Sequence, residues 1–110
     1  MEINARLEGT VQVLAISGHL DTKTAPTAEA TLNDVIAKGQ TKILVDCEKL
    51  DYISSVGLRV LLSTMKKLKK SNGKLHLAGM NPTVKEVFVI SGFSNIFSIF
   101  DTSAQALAAF

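Results

Sequence analysis

The feature that most constrains the fold is the change of hydrophobic period along the chain. Val11-Gln12-Val13-Leu14-Ala15-Ile16 is nearly all apolar, and Lys42-Ile43-Leu44-Val45-Asp46-Cys47 contains a short continuous apolar run. Runs of this kind suit strands covered on both faces. Elsewhere the apolar residues recur at helical spacing: Ala28, Leu32, Val35 and Ile36, then Leu58, Leu61, Leu62, Met65 and Leu68. Strands that alternate with helices pair in parallel through right-handed crossovers. The pattern predicts an α/β fold: one mixed, mostly parallel sheet, an N-terminal antiparallel hairpin strand and about four helices, packed mainly on one face. At 110 residues the chain fits a single domain, residues 1–110. It contains no repeat, low-complexity tract or long linker.

Local signals place the elements. Ile3 to Leu7 and Thr10 to Ser17 read as strands, with Glu8-Gly9 as the hairpin turn and Gly18-His19-Leu20-Asp21 ending the second. A first helix runs from Pro26, which suits a first helical turn, to Lys38, with Gly39 at the C′ position. Thr41 to Cys47 is a buried strand. A central helix from about Ser55 to Ser71 stops at the breaker pair Asn72-Gly73. Lys74 to Ala78 is a strand with Leu75 and Leu77 on one face. Asn81-Pro82 opens a third helix carrying Val84, Val87 and Phe88 inward and ending near Ser91-Gly92. Ile96 to Phe100 is the last strand, and Thr102 or Ser103 caps a short helix with Ala106, Leu107 and Phe110. The tail from Ala104 to Phe110 either covers the core or pairs with another copy.

Apolar residues make up 46% of the chain, enough for one core, and no apolar run approaches the ~18 residues of a membrane span. The N-terminus lacks the pattern of a signal peptide, so a cytoplasmic protein is expected. Cys47 is the sole cysteine; it reads as a small buried side chain, and neither a disulfide nor a cysteine-based zinc site can form within the chain. A formal charge of +2 argues against nucleic acid. Lys66, Lys67, Lys69 and Lys70 complement the dipole at the C-terminal end of the central helix and read as a solvated face.

Enzyme chemistry finds few candidates. There are two histidines, His19 and His76. His19 is expected in an exposed loop, and His76 on the strand face opposite Leu75 and Leu77. The nucleophile-elbow pattern Gly-x-Ser-x-Gly is absent, because Ile53 stands where its first glycine would be. No metal-ligand spacing and no Walker-type phosphate loop occurs. The expectation is a protein without its own catalyst, cofactor or metal.

The remaining signal is Asp51-Tyr52-Ile53-Ser54-Ser55-Val56-Gly57-Leu58-Arg59. Two hydroxyls stand at the start of the central helix, where one of them can act as N-cap. This loop resembles the signature of the STAS domain family, the fold of anti-sigma factor antagonists, which often have Ile-Ser-Ser-small-Gly-Leu here. The resemblance extends to Gly18-His19-Leu20-Asp21 (Gly-x-Leu-Asp in the family), to the apolar strand Ile43-Leu44-Val45 ending in Asp46, and to Gly92-Phe93. It implies a STAS fold over essentially the whole chain.

The resemblance also implies a function. The family's phospho-acceptor matches Ser55; Ser54 stands where the best-known branch has Asp and is the second choice. Asp21 and Asp46 match acidic positions that help engage the kinase, although each aspartate could simply bond loop N–H groups at the end of its strand. Because parallel strands end on one edge of a sheet, Asp21, Asp46 and Ser55 are expected to share a surface with Ser54, Gly57 and Arg59. Gly57 reads more simply as a close-packing position. The implied partners are a GHKL-type serine kinase that doubles as anti-sigma factor and a PP2C-type phosphatase, with no nucleic acid and no membrane insertion. Two alternatives from the same resemblance are an accessory subunit of a lipid or anion transport system, acting as a constitutive protein contact, and nucleotide binding by the domain itself.

Overall fold

A computed structural model describes residues 1–110. Strands β1 (Glu2–Glu8) and β2 (Val11–Leu20) form an antiparallel hairpin, followed by α1 (Ala25–Ala37) and β3 (Lys42–Asp46). Next come β4 (Leu50–Ile53), α2 (Ser55–Lys69), β5 (Lys74–Ala78) and α3 (Pro82–Ile90). A short 3-10 turn (Phe93–Asn95), β6 (Ser98–Phe100) and α4 (Ser103–Ala108) complete the chain. The sheet order is β1-β2-β3-β5-β6, parallel except for the β1–β2 pair, and β4 pairs in parallel with β2. This is the expected mixed α/β architecture.

The long strand β2 serves two neighbours. Its first half pairs with β3, from Gln12↔Ile43 to Ala15↔Asp46, and its last residues pair with β4, from Gly18↔Leu50 to Leu20↔Ile53. Two expectations are corrected here. β2 does not end at Ser17 but continues through Gly18, His19 and Leu20, so His19 lies in a strand, although it is exposed as expected. Leu50–Ile53 is a strand rather than part of the loop before α2. Its outer pair Asp51-Tyr52 is exposed, while Leu50 and Ile53 are buried.

Alternation of side chains assigns the two faces of the sheet. Leu14, Ile16, Ile43, Val45, Leu75 and Leu77 pack with Leu32, Leu61, Leu68 and Phe88 in the main core, the side of α1, α2 and α3. Val11, Val13, Leu44 and Ala78 meet Ala106 of α4 in a smaller core on the opposite face. Three helices thus share one face and the fourth covers part of the other. His76 lies on the α4 side, buried; its Nδ1 bonds the carbonyl of Ala106 at 3.0 Å and its ring stacks on Phe110 at 3.8 Å. The apolar tail therefore packs on its own sheet.

Several boundaries shift by a residue or two. The hairpin turn is Gly9-Thr10, since Glu8 pairs with Val11; Gly9 supplies the positive φ of 62°. The first helix begins at Ala25, with Pro26 in its first turn, and ends at Ala37. The central helix ends at Lys69; Asn72 turns left-handed at φ 57°. A Cβ at Gly73 would lie 2.6 Å from the carbonyl oxygen of Thr41, which explains the glycine. The last strand is only Ser98–Phe100, because the 3-10 turn occupies Phe93–Asn95. Thr102, not Ser103, caps α4 through a capping box with Gln105.

Asn81 ties α3 to the strand that sequence reading missed. Its Oδ1 accepts from Val84 N–H at 2.8 Å as the N-cap, and its Nδ2 donates to the Leu50 carbonyl at 3.1 Å. Asn81→Ala removes both bonds at once. Loss of a cap costs about 1 kcal/mol and an orphaned, half-buried carbonyl adds a similar amount. Urea denaturation should therefore show a loss of about 2 kcal/mol; a loss below ~0.5 kcal/mol would mean that this tie carries no stability.

Candidate functional site

The site is assembled where β2, β4 and the first turn of α2 meet. Ser54 N–H donates to the Leu20 carbonyl at 2.9 Å, joining the end of β2 to the residue that caps α2. Ser54 has extended backbone angles, and its Oγ accepts from Gly57 N–H at 3.3 Å, the N-cap bond. Ser54 is therefore half-buried and its hydroxyl is engaged. Ser55 is the first residue of the helix and is exposed, with no side-chain hydrogen bond to the rest of the chain. The first helical bond runs from Leu58 N–H to the Ser54 carbonyl at 3.0 Å. The N–H groups of Ser55 and Val56 thus stand ahead of the helical ladder, at the positive end of the dipole.

Gly57 is required by packing. A Cβ there would lie 2.7 Å from the Leu20 carbonyl oxygen, 2.8 Å from Ile53 Cγ1 and 2.9 Å from Leu20 Cγ. The same carbonyl receives Ser54 N–H, so any side chain at Gly57 pushes directly on the bond that positions the two serines. Arg59, four residues after Ser55 and so on the same side of the helix, is exposed and forms no ion pair.

Asp21 begins the turn immediately after Leu20 and is half-buried. Its Oδ1 accepts from Lys23 N–H at 3.0 Å, from Thr24 N–H at 3.3 Å and from the Thr24 hydroxyl at 3.3 Å. Loss of hydration pushes its pKa up, but these three donors and nearby His19 outweigh that and hold the carboxyl below its ordinary value of 3.8. The local role, bonding loop N–H groups, is therefore real, and one Oδ1 performs it. His19 and Tyr52 complete the surface as cross-strand partners. Their rings meet edge to face at 5.9 Å, and Tyr52 remains 44% exposed. Sequence reading passed over Tyr52; the apolar-polar-polar-apolar run Leu50 to Ile53 was the available signal.

Asp46 is placed differently. Its Oδ1 accepts from Glu48 N–H at 3.0 Å. It lines an open cavity of about 460 Å³ with Glu2, Asn4, Arg6 and Ser17, and another of about 280 Å³ with Asp101 and Thr102, on the α4 side of the sheet. No residue of α2 lines either cavity. The structure thus joins Asp21, Ser54, Ser55, Gly57 and Arg59 at one junction, while Asp46 faces the other side. Its charge has one clear effect: burial first, and Asp46 second, push the adjacent Cys47 thiol up to about 12. Cys47 is fully buried and stays a neutral thiol, as its reading as a small core side chain requires. No group of three or more His, Cys, Asp or Glu side chains is arranged to hold a metal, and no helix is long and apolar enough to cross a membrane.

Two substitutions probe the junction. Gly57→Ala forces the helix start away from Leu20 and should cost about 1–3 kcal/mol in urea denaturation, typical of overpacking; an unchanged midpoint would show that the contact yields freely. Asp21→Asn weakens the acceptor of three bonds. Because the folded pKa lies below 3.8, the ionised carboxyl stabilises the fold fully above the unfolded-state pKa. That contribution fades as pH falls through the folded value. The stability gap between parent and variant should therefore be present near pH 7 and close near pH 2; a gap independent of pH would contradict the assignment.

Residues 2–106 match the family model described as STAS domain. Among curated relatives, BtrV of Bordetella bronchiseptica, a candidate anti-sigma factor antagonist, is 40% identical over 98 residues, covering 89% of this chain and 84% of BtrV. RsfB of Mycobacterium tuberculosis, an anti-sigma-F factor antagonist, is 29% identical, covering 88% of this chain and 79% of RsfB. A crystal structure of an anti-sigma factor antagonist from Mycobacterium paratuberculosis matches with a TM-score of 0.90 at 27% identity, over 98% of this chain and 92% of that one. The matched span runs through both cores and the α2 junction, and this chain belongs to the STAS domain family.

Proposed function

We propose that the chain is an anti-sigma factor antagonist in a partner-switching module, with Ser55 as its reversible phosphorylation site. Unphosphorylated, it binds a GHKL-type serine kinase that also serves as the anti-sigma factor, and so releases the sigma factor. The kinase transfers a phosphoryl group from ATP to Ser55 Oγ, and the affinity for the kinase collapses. A PP2C-type phosphatase restores the hydroxyl. The names of the relatives support the coarse role. The observation that carries the choice of residue is the division of labour between neighbours: Ser54 Oγ is committed to Gly57 N–H, whereas Ser55 is exposed with its hydroxyl unengaged.

The physics of the switch follows from that position. A phosphate carries about −1.5 to −2 charges near pH 7. At the first residue of α2 it sits beside free N–H groups and one turn from Arg59, so the free domain accommodates it. A partner packed over a neutral hydroxyl has to bury the new charge instead. An uncompensated buried charge costs about 3–5 kcal/mol, and 4 kcal/mol is roughly a thousandfold in affinity. Asp21, Tyr52 and Arg59 form the exposed surround that such a partner would cover, with Gly57 fixing its floor. Asp46, on the α4 side, would contact a different part of the partner or none.

The test uses the cognate kinase and ATP. Mass spectrometry should find one phosphate, on Ser55. Ser55→Ala should retain binding within a few-fold of the parent, and Ser55→Asp should lose about a hundredfold or more, a single carboxylate being a smaller charge than phosphate. Phosphate on Ser54, or a Ser55→Asp variant that binds like the parent, would overturn the proposal.

A further inference from the structure

At the opposite end of α2 lies an open groove of about 490 Å³ that the switch does not use. Its apolar walls include Met65, Ile96 and Phe100, and Lys69 and Lys74 stand on its rim. Both lysines are exposed, neither forms an ion pair, and no carboxylate lines the groove. Ile96 is 47% exposed, an apolar side chain left open beside two free cations. The other two cavities are lined by Asp46 and Glu48, so the charge character of this groove is its own.

His76 supplies the third element. It lines the groove, yet it is only 5% exposed. Its Nδ1 lies 3.0 Å from the Ala106 carbonyl, an acceptor, so Nδ1 carries the proton. In the neutral ring Nε2 is then an acceptor, and nothing in the chain donates to it. Stacking on Phe110 and contact with Phe100 hold the ring plane fixed. A buried acceptor without a donor is uncommon in a packed domain.

We propose that this groove binds a small aliphatic hydroxy acid: a carboxylate held by Lys69 and Lys74, a hydroxyl donating to His76 Nε2, and an alkyl chain along Met65, Ile96 and Phe100. The size suits such a molecule, since small-ligand sites run from roughly 300 to 1,000 Å³ and combine apolar walls with a few placed polar groups. The two lysines favour an anion, and the unpartnered acceptor favours a hydroxyl beside it. The groove lies at the end of α2 remote from Ser55, ~22 Å along a 15-residue helix. Occupancy therefore leaves the serine surface open.

The experiment is a titration of the isotopically labelled full chain with 3-hydroxyoctanoate, octanoate and 1-octanol, followed by amide and imidazole NMR shifts. For 3-hydroxyoctanoate, saturable shifts at Gly73, Lys74, Ser98 and Ala109 are expected, with Kd on the order of 1 mM or tighter, as suits so few heavy atoms. Octanoate should bind several-fold more weakly, and 1-octanol more weakly still. The exposed double variant Lys69→Gln/Lys74→Gln should weaken 3-hydroxyoctanoate at least tenfold with no change in fold, and His76→Leu should erase the preference for the hydroxyl. Shifts that fail to saturate, 1-octanol binding equal to that of the acids, no preference for the hydroxy acid, or a double variant that binds like the parent would each overturn the proposal.

Discussion

The carbonyl of Leu20 is the contact on which the functional surface depends. It ends β2, receives the N–H of Ser54 at 2.9 Å, and lies where a Cβ of residue 57 would sit at 2.7 Å. One acceptor thus joins a strand end to a helix start, and only glycine lets them come so close. The consequence is positional. With Ser54 held by that bond and turned inward to cap the helix, the next residue must point out on the first turn. The exposure of Ser55 is a product of sheet geometry.

That junction in turn rests on β2 being long enough for two partners. Ten residues let it pair first with β3 and then with β4. Asn81 anchors the start of α3 to β4, and His19 and Tyr52 meet across the same pairing. The surface around the serines is therefore carried on paired strands and a capped helix, which suits a site that must present the same shape before and after modification. The opposite face of the sheet follows other rules. There α4 covers a small core, and acidic side chains from strand ends gather beyond it.

Most of the architecture could be read from periodicity, because long apolar runs and helical spacing report burial directly. The cap at Asn81, the proline in the first turn of α1 and the placement of His76 opposite Leu75 and Leu77 all follow from local chemistry or strand alternation. β4 was illegible for a physical reason: it has four residues, only two of them buried, and it follows β3 so closely that no turn signal separates them clearly. The cluster at the junction was legible in part. That strand ends share an edge placed Asp21 beside the serines, but the same rule misplaced Asp46, because it says nothing about which face of the sheet a side chain takes. Ser54 and Ser55 are alike in sequence; only the backbone at the N-cap distinguishes an engaged hydroxyl from a free one. The amphipathic tail offered no sign of which sheet face it would cover.

If the switch works by charge on a fixed surface, phosphate on Ser55 must leave the free domain essentially as it was. The most direct measurement compares amide NMR spectra and urea midpoints of the free chain before and after stoichiometric phosphorylation. The account predicts shifts confined to the start of α2, the Asp21 turn and the β4 strand, with stability changed by less than about 1 kcal/mol. Shifts spread through the sheet and both cores, or a loss of several kcal/mol, would mean that the phosphate acts by unfolding the domain and would contradict it.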